Sequence, residues 1–495
     1  MAAISHGAEW TFELIERYDQ AIREIALGEF GLDCYANQIE IIASEQMLDA
    51  YASGGLPISY PHWSFGKEFI RNEHSYRKGM RGLAYEIVIN SDPCIAYLME
   101  ENSMPLQALV VAHACYGHNS FFKGNYLFRQ WTRADAIVDY MVFARKYVSD
   151  CEERYGSEAV EAVLDACHAL MDYGVSRYHH PRPLSVEAER KRVREREAHA
   201  WSNYDEVWRT VPQRAAAGAA AGAAQEAEPQ ENLLYYVEKH SPRLAPWQRE
   251  LVRIVRKVAQ YFYPQGQTKL MNEGWATFWH YTLLNRLYEK RLADDGFMIE
   301  CLASHTNVVA QRGFDEPGYG GFNPYALGFA MFGDIRRMCE RPTQEDKAWF
   351  PDIAGGDWRR VLDFAMRNYK DESFVAQFLS PRLIREYRLF AISDCEDEDE
   401  LEVDSIHNEA GYRRVRRLLA QHYDRDSRLP DIQVVDFDRD GDRSLTLRHR
   451  VHRGRPLDGD HRRVLEHLRY LWGFTVRLES VDADGQDLDL VELAA

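Results

Sequence analysis

The sequence predicts a mainly α protein: a large helical N-terminal domain with buried helices over residues 1–400, then a small α+β domain of ββαβ order over residues 401–495. Three observations predict it. Two segments, starting near Ser103 and near Lys269, are apolar almost all round a helical circumference, which is the pattern of a helix enclosed in a large core. Apolar residues elsewhere before residue 370 recur at helical spacing. From Asp431 the pattern changes to β-rich runs, after an acidic stretch from Asp394 to Asp404 that marks a break in composition.

Taken in order, Trp10, Leu14, Ile15, Tyr18, Ile22 and Ile25 fall on one face of an amphipathic helix over roughly 8–30. Residues 53–93 are rich in Gly, Pro, His and aromatics and read as loops and short strands. The first all-round apolar helix starts at Asn102 or Ser103 with Pro105 in its first turn, and Gly117 is its expected stop. Amphipathic stretches follow over 131–151 and 157–173, then a charged, solvated helix over 187–199. Residues 212–230, PQRAAAGAAAGAAQEAEPQ, hold no large apolar side chain and so cannot join a core; they read as an exposed insertion or linker. Leu251, Ile254, Val255, Val258 and Phe262 mark a further helix that Pro264 should close. The second buried helix runs from about 269 to 288, and two more are expected over 324–340 and 357–369. At the end, IQVVDFD and SLTLRHRVH read as strands, DHRRVLEHLRYLW as a helix and FTVRLESVD as a strand.

Composition excludes several classes. At 495 residues, 45% hydrophobic, with 11 Trp and 28 Tyr, the chain has material for more than one packing unit, and global disorder is excluded. A net charge of −18 opposes general binding to nucleic acid, whose phosphates want a basic surface. The 8 cysteines form no CxxC pair, which argues against a zinc ribbon or a disulfide scaffold. The first ten residues lack the basic and apolar regions of a secretory signal, and no window reaches the roughly 18 apolar residues of a membrane span. A cytoplasmic protein is the expectation.

Chemistry is expected where the two apolar helices carry groups that a bland core would not choose. The first holds His113 and His118, and the second holds Glu273 and His280 among aromatics. Burying a carboxylate is costly unless it is paired or bound to a metal. A divalent metal, zinc foremost, held by His113, His118 and Glu273 would satisfy these groups together, as in sites with two histidines and a glutamate. A hydrogen-bonded core network without metal would also satisfy them. In an unbroken α-helix His113 and His118 lie about 140° apart, so Gly117 would have to break the helix for them to converge. His280 shares a face with Glu273 but sits about 10.5 Å along the axis, which makes it either a fourth ligand or a residue behind the ligands.

The Asn-Glu-Gly-Trp-Ala segment at Glu273 resembles the helix that supplies the glutamate ligand in gluzincin-type metallopeptidases, but no glutamate stands beside His113 to activate water. A hydrolase would need that base from Glu68, Glu101 or Glu238. Substrate-binding candidates are His62, Trp63 and Lys67 in a Gly- and Pro-rich context, with His240 and His305.

Several long runs, PHWSFGKEF (61–69), YEIVINSDPCIAYLMEENSMPLQALVVAHACYGHNSFFKGNYLF (85–128), EKHSPRLAPWQRE (238–250), QTKLMNEGWATFWHY (267–281) and GYGGFNPYALGFAMFGDIRRMCE (318–340), resemble signatures of the stage V sporulation protein R (SpoVR) family. The likeness extends through DFAMRNYKDESFVAQFLSPRLIREYRLF (363–390) and is absent from the alanine-rich insertion. The resemblance implies a role in spore cortex formation, or in stress and stationary-phase programmes of bacteria without spores. It also implies a PrkA-like serine protein kinase and a von Willebrand A-like protein as partners. It implies no biochemical activity. Two readings therefore stand: a metal-dependent hydrolase, and a non-enzymatic regulator or scaffold.

Overall fold

In a computed structural model the chain forms two compact units, one of Met1–His168 with Ala245–Leu429, the other of Ala169–Leu244 with Pro430–Ala495. The structure describes residues 3–47, 59–60, 62–63, 86–177, 231–313, 316, 319, 321–389, 391–394, 401–404, 408–439, 441–451, 457 and 459–494. The insertion at 212–230 and the charged run at 187–199 lie outside them.

The first unit is built round the two apolar helices. One, here the glutamate helix, spans Lys269–Glu289 and buries side chains on every face. Its first amides, which lack partners within the helix, are satisfied by Asp371, whose carboxylate accepts from the N–H of Leu270 at 2.8 Å and of Met271 at 2.9 Å. A carboxylate there also complements the positive end of the helix dipole. The other, the histidine helix, starts at Met104 behind Ser103, whose hydroxyl accepts from the Leu106 N–H, with Pro105 in the first turn as expected.

The expected stop at Gly117 does not occur. Met104–Val111, Ala112–His118 and Asn119–Gly124 follow one another as a single helix whose middle segment is wound as a π-helix. Gly117 serves close packing instead: a Cβ there would meet the Cα of Ala276 in the glutamate helix at 2.6 Å. On another side of the glutamate helix, Gly274 meets Gly328 of the Pro324–Glu340 helix so closely that neither position has room for a side chain. Glycine here lets backbones touch, and that contact fixes the three helices against one another.

Phe12–Arg23 is helical as predicted and runs on into a π-wound turn, Glu24–Glu29. Pro264 does not close its helix, which spans Pro246–Gln267; sitting in the last turn, it removes one amide while the helix needs only three more residues. A three-stranded sheet lies in the same unit: β1 (Asn37–Ile42) pairs parallel with β3 (Cys94–Met99), and β2 (Glu86–Ile89) pairs antiparallel with β3. Only short strands within 53–93 were expected, so β1 and β3 are additions; six-residue segments such as NQIEII and CIAYLM are too short for a period that separates strand from helix. An antiparallel pair of strands, β4 (Ala391–Asp394) and β5 (Leu401–Asp404), brackets the acidic stretch.

The second unit joins the helix Leu233–His240 to a sheet of order β6-β7-β8-β9 (Asp431–Phe437, Leu445–Arg450, Val476–Val481, Asp487–Leu493) and the helix His461–Trp472. The expected ββαβ order is present and β9 extends it by one strand. Its core centres on the buried Trp472, edge-on to Phe437 at 5.0 Å and stacked on Tyr236 at 6.0 Å.

Candidate metal centre

The π-wound segment solves the problem the spacing posed. In a π-helix the amide of residue i+5 closes on the carbonyl of residue i, so residues five apart lie nearly one above the other. The Asn119 N–H reaches back to the carbonyl of Ala114 in this way. His113 and His118 therefore share a face, their rings perpendicular with centroids 4.6 Å apart.

Glu273 faces them from the glutamate helix. Its Oε2 stands 3.5 Å from His118 Nε2 and 3.9 Å from His113 Nε2, and it has no hydrogen-bond partner among the described residues. Glu86, the first residue of β2, completes the group, with Oε1 3.4 Å from His113 Nε2. Ile87 and Ile89 of β2 are buried, so strand alternation turns Glu86 to the other face, toward the histidines. Donor atoms of Glu86, His113 and His118 all lie within 4.8 Å of one another.

These separations exceed ordinary hydrogen bonds, which run about 2.7–3.2 Å. They match a cation site. Bonds of about 2.0–2.1 Å at tetrahedral angles hold ligand atoms about 3.3–3.4 Å apart. Glu86, His113 and His118 place their donor atoms as a group able to hold a metal ion would, and the orphaned Glu273 oxygen stands beside the two imidazoles. Burial, and next the nearby Glu273 charge, push the Glu86 carboxyl up to about 8. Burial also keeps His113 neutral, its pKa held well below the usual value, with His118 and His280 adding to the effect. A neutral imidazole is the form that ligates metal.

The outward nitrogens of both histidines are held. Asn272 Oδ1 is 2.9 Å from His118 Nδ1. His113 Nδ1 is 2.9 Å from His280 Nδ1, and His280 Nε2 is 2.9 Å from His305 Nδ1. If His113 offers Nε2 to a cation, its Nδ1 carries hydrogen and donates to His280; His280 then donates from Nε2 to His305. One ligation event orients all three tautomers along a single direction. Both nitrogens of His280 are engaged in this chain, which sets it behind His113 and outside the ligand set. His280 is held neutral by burial, and burial lowers His305 to about 4.

The structure thus brings together His113, His118, Glu273, His280 and His305. Other candidates lie apart. The Glu101 carboxylate is exposed and accepts from the Ser44 N–H at 3.2 Å. Glu238 and His240 belong to the second unit, where Glu238 is buried against Lys239 at 2.5 Å and His240 packs on Tyr236. His62 and Trp63 form a separate cluster: both bond Asp165 Oδ1, and His62 stacks on His168, which bonds the Tyr60 hydroxyl at 2.7 Å. Glu68 and Lys67 lie outside the described residues. Glu86 escaped the sequence reading; its only signal was a lone carboxylate heading the apolar run Ile87-Val88-Ile89.

A family model described as SpoVR like protein matches residues 9–428, and one described as SpoVR-like C-terminal domain matches residues 430–483. The chain belongs to the SpoVR family. It is 56% identical over 490 residues to the Uncharacterized protein YcgB of Escherichia coli (strain K12), covering 99% of this chain and 96% of that one. No solved structure matches the SpoVR chain described here. Among the described residues, no helix is long and apolar enough to cross a membrane.

Proposed function

We propose that this SpoVR-family protein is a metal-dependent hydrolase in which His113, His118 and Glu273 hold a divalent cation, zinc foremost, and Glu86 transfers protons. One observation carries the reading: four ionisable side chains from three separate elements turn their donor atoms on one point without bonding each other. When bound, such an ion polarises a carbonyl and acidifies water, which is what cleavage of an amide bond at neutral pH requires. The chain's own residues do the rest. Asn272 and His280 fix the rings of His118 and His113, and Glu86 supplies from a strand the carboxylate that the histidine helix lacks. Glu86 Oε1, 3.4 Å from His113 Nε2, is placed within reach of a group bound there, as a proton-transferring carboxylate must be. The proposed setting is cytoplasmic, in envelope or cortex remodelling during sporulation or stress, with a PrkA-like kinase and a von Willebrand A-like protein as partners. Family resemblance supports that setting.

Elemental analysis of the purified full-length protein tests the site. A divalent ion should be present and should be lost in His113→Ala and Glu273→Ala. Glu86→Gln should keep the ion, and His280→Ala should hold it about 10–100-fold more weakly. A folded protein that takes up no zinc sinks the proposal. Loss of the ion in Glu86→Gln would mean a closed four-ligand site, and the hydrolytic reading would fall.

A second, non-enzymatic reading is favoured by β9, an edge strand whose Leu488 and Leu490 are 57% and 59% exposed. An exposed strand edge invites pairing with another chain. Biological activity retained in His118→Ala but lost on deletion of residues 431–495 would select this reading.

A further inference from the structure

His280, in the middle of the glutamate helix, is 1% exposed, and both its ring nitrogens face imidazoles: Nδ1 is 2.9 Å from His113 Nδ1, and Nε2 is 2.9 Å from His305 Nδ1. A neutral imidazole has one donor and one acceptor. When His113 gives Nε2 to a cation, its hydrogen is on Nδ1, so His280 accepts there and carries its own hydrogen on Nε2. That N–H is buried and calls for an acceptor. Among the described residues the acceptor is His305 Nδ1. The direction that ligation demands of the chain therefore depends on whether residue 305 can accept.

The surroundings of His305 hold it for this role. It occupies the last turn of the helix Asp295–Val308, whose start is fixed by Asp294 accepting from the Phe297 N–H at 2.8 Å. Its ring stands edge-on to His280, with centroids 5.1 Å apart, and packs against Tyr281 at 4.8 Å and Phe329 at 4.9 Å. These aromatic neighbours fix the ring plane and keep Nδ1 on His280 Nε2. Removing the acceptor leaves two arrangements, both adverse to ligation. His280 can keep its hydrogen on Nε2, buried and unmet, which is costly. Otherwise it carries the hydrogen on Nδ1 and donates to His113 Nδ1, which moves the His113 hydrogen to Nε2 and closes that atom to a cation.

We propose that His305 is a positioning residue of the cation centre: by accepting from His280 Nε2 it keeps the hydrogen of His113 on Nδ1 and leaves His113 Nε2 bare for the ion. The inference rests on the reading of the centre as a metal site and adds to it a residue one step behind His280. His305 acts through His280, in place of the substrate contact expected of it. Partners that orient a ligating imidazole in this way tune how tightly the metal is held.

Zinc affinity of the full-length protein, measured by competition with a chromogenic chelator, tests this. His305→Leu, which fills the space without an acceptor, should bind zinc about tenfold more weakly than the parent. His305→Asn, whose amide oxygen can stand where Nδ1 does, should restore the affinity to within about threefold. A second measurement needs no variant: long-range proton–nitrogen NMR of the zinc-loaded parent, labelled with nitrogen-15 histidine, should place hydrogen on His113 Nδ1 and His280 Nε2. Hydrogen on His280 Nδ1 overturns the proposal. So does an affinity unchanged in His305→Leu, or one in His305→Asn as weak as in His305→Leu; in these cases the metal site itself stands. A parent protein that takes up no zinc removes the centre and this inference together.

Discussion

Individual side chains in this protein are governed by what compensates their burial. Asp346 shows the ordinary solution. It receives two hydrogen bonds from Arg337, each at 2.7 Å, and further bonds from Thr343. The Arg337 bonds, more than any other cause, hold its carboxyl well below the usual range, against the opposing effect of burial. Its folded pKa is therefore lower than the unfolded value of about 3.9. The stability it contributes is complete above that value and is lost as pH falls through the folded one. Asp346→Asn should cost about 2–3 kcal/mol at pH 7. Urea unfolding across pH should show the gap to the parent protein narrowing below about pH 4; a gap constant with pH would refute this account. Glu273 shows the other solution, since its Oε2 finds no such partner and faces two imidazoles across a space that suits a cation. The residue types at this site were legible in the sequence because charge and imidazole stand out in an apolar helix. Glu86 was not, because a strand of four residues gives too short a period to show which face a residue takes.

Among the elements, the histidine helix departs most from expectation. Two histidines five residues apart converge without any break in the chain, because the helix between them changes its winding. A glycine at 117 looked like a terminator, yet its role is to let the helix lie against Ala276. Gly117→Ala separates the two roles. Alanine improves helix propensity by about 1 kcal/mol, but its Cβ would stand 2.6 Å from a backbone atom that cannot step aside. The clash should prevail, costing about 1–3 kcal/mol net. Denaturant melts that show Gly117→Ala more stable than the parent would contradict the packing role. Pro324–Glu340, by contrast, begins and ends where the pattern predicted, since its start is fixed locally by Asn323 and Pro324.

In the whole molecule, sequence order and spatial order part company. The second unit draws the helix Leu233–His240 from the middle of the chain and the sheet from its end. Ser241 donates to the carbonyl of Leu471 at 2.8 Å, and Leu233, Leu234 and Val237 are buried. A chain truncated after residue 429 should therefore expose the apolar face of Leu233–His240. Limited proteolysis should then cut within 231–244, where the full-length protein resists; equal resistance would mean that this helix is held by something other than the sheet. The strand β9 was missed because Asp487 and Asp489 give DLDLVEL a composition poor for a strand, and pairing with β8 decides its conformation.

The sequence by itself determined the mainly helical class, the two enclosed helices, the β-rich end and the family, because apolar periodicity and long family-like runs are local properties of the chain. Only the tertiary structure decided that Glu86 joins His113, His118 and Glu273, that His280 stands behind them, and that the second unit is assembled from two separated segments. Those outcomes depend on helix winding and on contacts between residues far apart in the chain, such as Glu273 and His118, and neither leaves a period that can be read along the sequence.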